Sequence, residues 1–312
     1  MAHCTISRSE TDTNHSTMER RSIIMKLALG AIAATLLSST AFAADLLIVE
    51  PAVAPASAAS GVRGVIELGA FANYVDETDE DFSGTAGGAY VSGAIWGGAD
   101  GFVWGIDGYF DRNSFDGADA PNTSALAGLH AGVGGDGYYA GFFGSAGLGF
   151  DDSEESHAGY SVGVEGQVEL DQISLFGQLG WADVDTEGDE AGFIGAFLRG
   201  GAVFASSDDF AIMADASYGY TESFEDTDDE GYFATVGVKA ALVLPTDFTA
   251  FVTAGYEFGY YEATTEDDSA NSHTLKLGLA IPFGDSTAAD VLNPLATSSQ
   301  PYRAATWADI LD

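Results

Sequence analysis

The stretch 248–283 constrains the fold more than any other. Over 248–261 the even positions are Phe248, Ala250, Val252, Ala254, Tyr256, Phe258 and Tyr260, all apolar or aromatic, while the odd positions mix Thr249, Thr253, Gly255, Glu257 and Gly259 with Phe251 and Tyr261. An acidic connection follows. Then 273–283 places Leu275, Leu277, Leu279, Ile281 and Phe283 on one face and Thr274, Lys276, Gly278 and Ala280 on the other. Side chains of a strand alternate between faces with period two, so both segments read as single long strands. A strand in a soluble sandwich runs about 5–6 residues, whereas a tilted strand crossing a bilayer needs about 9–11 plus interfacial residues. Length, a one-sided apolar face and aromatic rings near the ends together predict an all-β transmembrane barrel.

Ten earlier segments repeat the pattern, at 62–75, 86–98, 102–111, 124–134, 138–150, 158–170, 173–182, 191–205, 210–221 and 231–244, making about 12 antiparallel strands in an up-and-down order. Their connections alternate in kind. Short, turn-forming links at 99–101, 135–137, 171–172, 206–209 and 245–247 alternate with longer, acidic ones. An outer-membrane barrel shows this alternation when its short turns face the periplasm and its long loops face outward.

Ionisable residues inside the segments avoid the apolar face. Arg63, Glu67, Asp107, Glu165, Glu169, Arg199, Asp215, Lys239, Glu257 and Lys276 all take the opposite phase and are expected to line the lumen. An Arg or Lys facing lipid near the midplane costs about 2–4 kcal/mol, which explains the segregation. At the seam between last and first strands, a Lys276/Glu257 ion pair is expected, with Glu67 as a third member if the shear of the barrel brings it within reach. The second and fourth segments, rich in glycine and alanine, have the weakest phase.

The whole chain carries 10 basic and 48 acidic residues, a net charge of −38. Such a balance lacks the basic patches a nucleic-acid binder needs. With 46% hydrophobic residues the chain is not disordered, so its charge must be segregated from its apolar surface. No cofactor is implied. The acidic loops suit loose association of divalent cations, but they lack the spacing of a dedicated calcium loop, and no metal ligands are assigned.

The ends of the chain read differently. Residues 25–43 carry one lysine, an apolar run and the small-residue pattern Ala41-Phe42-Ala43, the marks of a secretory signal peptide preceded by a polar extension, so 1–43 is set apart from the fold. The only cysteine, Cys4, lies there, and an exported chain without it holds no disulfide. Residues 44–60 form a Pro/Ala-rich linker and 61–283 the barrel. The tail 284–312 lacks a long alternating run, contains Pro294 and Pro301, and is expected to be periplasmic and dispensable for the barrel wall.

The signal peptide, the Ala-Asp-Leu start at Ala44, the Pro/Ala linker, the Gly/aromatic strands and the aromatic end at Phe283 resemble Gram-negative outer-membrane β-barrel proteins of the porin-like kind found in alphaproteobacteria. The resemblance implies a multi-pass barrel in the outer membrane, in contact with its lipid and lipopolysaccharide. Two departures are the tail beyond Phe283 and the strand count, since several small barrels of that kind have eight. Because such barrels include hydrolases, the histidines after residue 43 matter. His157 and His273 fall at loop–strand junctions and His130 within a strand, but no spacing assembles a catalytic set, and none is assigned. Twelve strands lie between a filled eight-strand barrel and a 16-strand aqueous pore. The expectation is therefore a narrow passage for small cationic or neutral solutes, the rival being a closed structural or surface barrel.

Overall fold

Four two-residue turns and one wider link organise one end of the sheet. In the first, Asp100 and Gly101 have φ of 52° and 84°; Gly137 (78°) and Asp171 (53°) serve the second and third in the same way. A two-residue hairpin whose twist matches its strands needs positive φ, which glycine and aspartate tolerate best. The Asp-Gly and Asp-Gln links of the sequence are these turns.

The computed structural model describes residues 61–293 apart from 78–82, 116–121, 151–155, 187–192, 225–228, 264–267, Asp247 and Asp285. The twelve strands are β1 (Arg63–Glu77), β2 (Ser83–Ala99), β3 (Phe102–Phe115), β4 (Asn122–Gly135), β5 (Tyr138–Phe150), β6 (Ser156–Leu170), β7 (Ile173–Thr186), β8 (Phe193–Ser207), β9 (Phe210–Phe224), β10 (Asp229–Val243), β11 (Phe251–Ala263) and β12 (Asp268–Phe283). Each pairs antiparallel with its sequence neighbours. β12 closes on β1 in a continuous register from Gly64 opposite Phe283 to Glu77 opposite Ala270, so the sheet is a closed barrel with no free edge. The proposed signal peptide, the linker and most of the acidic loop residues lie outside the described residues.

Most strands run further toward the long loops than their apolar pattern, because backbone pairing continues where side chains have turned polar. β11 is the exception at its start. It begins at Phe251, not 248, because Leu244 N donates to Ala250 O at 2.7 Å and the Thr246 hydroxyl to Phe248 O at 2.5 Å, which folds 244–250 into a wider turn. β12 begins five residues before His273, which therefore sits inside a strand and not at a loop junction as its sequence context suggested.

Along every strand the phase is strict. Phe142, Leu129, Leu277 and Val236 are 59–70% exposed on the outer wall, while their inward neighbours Phe143 and His130 are 4% exposed. The interior is filled in layers. Toward the short-turn end, Val65, Phe176, Val203, Met213 and Phe251 form one apolar layer; toward the long-loop end, Leu126, Phe143, Phe197, Phe233 and Tyr261 form another, with Tyr109 against it.

The first residues of the tail pack against the barrel interior. Beyond Phe283 the chain reverses at Gly284 and forms one helical turn, α1 (Ala288–Val291), with Ala288, Val291 and Leu292 buried in the short-turn layer. Ala288, Val291 and Leu292 thus do not form part of the wall, but they do form part of the core. Residues 294–312 lie outside the described residues.

Candidate functional site

Between the two apolar layers runs a belt of polar side chains to which eleven of the twelve strands contribute. Period two brings it about, since each strand offers an inward position at this depth. One arc spans β3 to β9. His130 on β4 faces Asp107 Oδ2 with Nε2 at 3.0 Å and Glu165 Oε1 with Nδ1 at 2.7 Å. Glu165 also accepts from the Tyr139 hydroxyl at 2.8 Å and from Gln178 Nε2 at 3.0 Å. Arg199 continues the arc, donating to Gln178 Oε1 at 3.4 Å and, through Nε, to Asp215 Oδ2 at 2.8 Å, with its guanidinium 5.3 Å above the Phe176 ring.

The second arc centres on Glu67 of β1. Its Oε1 accepts from the Tyr90 and Thr253 hydroxyls, both at 2.6 Å, and its Oε2 from Lys239 Nζ at 2.6 Å. Strand β12 contributes an absence of side chain here. A Cβ at Gly278 would lie 2.6 Å from Glu67 Oε1 and 2.7 Å from both the Thr253 and Tyr90 hydroxyl oxygens, so only glycine leaves room for the carboxylate and its donors.

Burial makes these contacts matter. Glu67, Asp107, Glu165 and Gln178 are at most 6% exposed and Arg199 is 0% exposed. A charge removed from water is tolerated only when paired and hydrogen-bonded, and the belt supplies both. Around His130 an ionised carboxylate can only accept. The ring donates to both acids when it carries its second proton; otherwise a proton resides on one acid. Either way Asp107, His130 and Glu165 together hold one net negative charge.

All ten ionisable residues singled out in the sequence occupy the phase of the buried side chains. The structure brings Glu67 to Lys239 and Arg199 to Asp215, and links Asp107 to Glu165 through His130. Arg63 and Glu169 lie outside the belt, toward the short-turn rim, where Arg63 meets Asp290. Across β11 and β12, Lys276 lies opposite Gly255 and Glu257 opposite Thr274, which makes them diagonal neighbours within reach of long side chains. A double-mutant cycle on Lys276→Met and Glu257→Gln should show coupling above about 0.5 kcal/mol if they pair; strict additivity would count against the pair. The third member expected there is placed differently. Glu67 takes its cation from Lys239, because the register sets Glu67 opposite Ala280 and Phe71 opposite Lys276.

Several belt residues are missing from the lumen-lining set read from the sequence. His130 lies on the glycine-rich β4, where phase is weak, and Tyr90, Tyr139, Gln178 and Thr253 carry no charge to mark them. Asp111, 3% exposed and accepting from the Ser124 hydroxyl at 2.7 Å, is a further inward acid that the parity of Asp107 could have revealed. His273 faces outward among Tyr74, Tyr256 and Phe258, with the Tyr256 hydroxyl 2.8 Å from its Nδ1, and meets no acid in these contacts. The side chain of His157 lies outside the described residues. Among the described residues no cluster of three or more His, Cys, Asp or Glu could hold a metal ion.

An outer-membrane channel from Pseudomonas putida F1 shares this architecture. It superposes with a TM-score of 0.52 at 14% identity, over 75% of this chain and 100% of its own. The translocator domain of the autotransporter NalP from Neisseria meningitidis matches at a TM-score of 0.44 and 14% identity, over 82% of this chain and 98% of its own. At 14% identity the likeness to the Pseudomonas channel is one of fold alone. No protein-family model and no curated protein matches the chain.

Proposed function

We propose that this chain is an outer-membrane barrel that passes small cationic or neutral solutes through a narrow lumen which is closed in the conformation described. The observation that carries the reading is the belt. Filling a barrel requires only apolar volume, and a buried charge network is often no more stable than hydrophobic residues of the same size. Retaining charge at mid-depth therefore suggests use. Glu67, Asp107, Glu165 and Asp215 face Arg199, Lys239 and the one proton shared around His130, leaving one net negative charge, to which Asp111 adds another. A passage lined by excess negative charge admits cations in preference to anions, and a net acidic chain concentrates them at its mouths.

A second reading is favoured by the packing itself. Arg199, Phe197 and Phe251 are at most 2% exposed, as in a barrel that only anchors its outer loops. Planar-bilayer recording of the full chain separates the two. The passage reading expects small, intermittent openings whose reversal potential favours cations, with the preference fading near 1 M salt, where screening shortens to about 3 Å. Anion preference would contradict it. A silent membrane containing folded, heat-modifiable protein would leave the anchor.

A further inference from the structure

The short-turn mouth of the barrel is occupied by this chain's own α1. We propose that α1 is a detachable stopper whose seat is the inward apolar ring of β7–β11 and β1, and whose latch is the ion pair between Arg63 and Asp290. The consequence for conduction rests on the passage reading; closure of the mouth does not.

Four residues make too short a helix to persist alone, so α1 exists only where its seat holds it. Its geometry is built for that place. At the end of β12, Gly284 has φ of 80°, and a Cβ there would lie 2.9 Å from Val62 O and 3.3 Å from Arg63 Cα. Only glycine makes this reversal without strain, and it sends the chain inward across the mouth and not away from it. Thr287 and Asp290 then cap one another, with Thr287 N donating to Asp290 Oδ2 at 2.8 Å and Asp290 N to Thr287 Oγ1 at 3.4 Å. Ala288 N donates to Asp208 O in the β8–β9 turn at 2.8 Å. Val291 and Leu292, 5% and 2% exposed, enter the layer formed by Val65, Val203, Met213 and Phe251.

The latch spans the mouth's edge. Asp290 uses Oδ2 for the cap and Oδ1 for Arg63 Nη1, 3.6 Å away, with the two side chains 22% and 13% exposed for Arg63 and Asp290. Arg63 lies one residue from the point where β12 closes on β1. Beside its apolar seat, the stopper is tied to β8–β9 by the Ala288–Asp208 backbone hydrogen bond and to β1 by the partly hydrated Arg63–Asp290 ion pair. Neither tie resembles the continuous ladders of the wall, so the stopper can leave while the barrel stays closed.

The test reads access to the seat in the full chain. With Cys4→Ser as background, Val203→Cys reports the seat and Phe197→Cys the opposite layer, each challenged by a small charged thiol reagent on protein folded in micelles. Val203→Cys should be protected in the parent and in Arg63→Lys, and should react at least tenfold faster in Arg63→Glu and in Leu292→Asp, while Phe197→Cys stays protected. Unchanged protection of Val203→Cys in Arg63→Glu overturns the stopper. Should Leu292→Asp also expose Phe197→Cys, that variant has loosened the barrel and the Arg63 pair of variants decides. Faster labelling with no gain in conductance keeps the stopper and leaves the passage reading to be decided by the planar-bilayer recording.

Discussion

Replacing Arg199 by methionine is expected to cost about 3–5 kcal/mol of barrel stability, the range for leaving one partner of a buried ion pair without the other. Methionine keeps much of the stem's volume, so packing against Phe176 changes little. What is lost is the charge. Asp215 would retain a nearly buried carboxylate whose donor, 2.8 Å away, is gone, and Gln178 would lose a donor to its carbonyl. The reciprocal experiment sets the interpretation. In Arg199→Met/Asp215→Leu no charge remains to be solvated, and the double variant should recover to within about 1 kcal/mol of the parent. By contrast Arg63→Met, which breaks a partly exposed pair, should cost no more than about 1 kcal/mol. Equilibrium urea unfolding in lipid vesicles reads all three. An Arg199→Met barrel as stable as its parent would mean that the belt is hydrated and its pairing energetically idle.

The face of each belt residue was legible in the sequence because period two is a local property that needs no knowledge of partners. Distances were not. Glu67 and Lys239 are separated by 172 positions and by the two strands between β10 and β1, so their meeting depends on the stagger accumulated around the whole barrel. The same stagger directs Glu67 away from the seam pair expected from counting residues down from the loops. His130 shows a different limit. Its strand offers Leu126 with Gly128, Gly132 and Gly134 on the inward face and small or aliphatic residues on the outer one, so the contrast between the two faces is weak and gives little to mark the histidine's side. The stopper shows a third. One helical turn spans barely one period of about 3.6 residues and so shows no repeat, and Ala288, Val291 and Leu292 look like ordinary tail residues until Gly284 turns them inward.

The outer wall yields the last expectation, and it separates a membrane barrel from a water-soluble one. Val236 and Leu198 lie near the middle of β10 and β8, point away from the lumen and are 59% and 57% exposed. In water an exposed valine or leucine changed to arginine shifts stability by no more than about 0.5 kcal/mol, because the new charge is solvated at once. Facing hydrocarbon near the midplane, the same change costs about 2–4 kcal/mol, falling to about 0–1 near the interfaces. Val236→Arg and Leu198→Arg should therefore lower stability in lipid vesicles by about 2–4 kcal/mol. Leu170→Arg, at the short-turn end of β6 and 54% exposed, should lower it far less, although all three sites are equally open to solvent in the isolated barrel. Exposure cannot produce that gradient; only depth in a bilayer can. Equal and small effects at all three positions would place this wall in water, and the outward-facing aromatics and leucines would then need a protein partner to cover them.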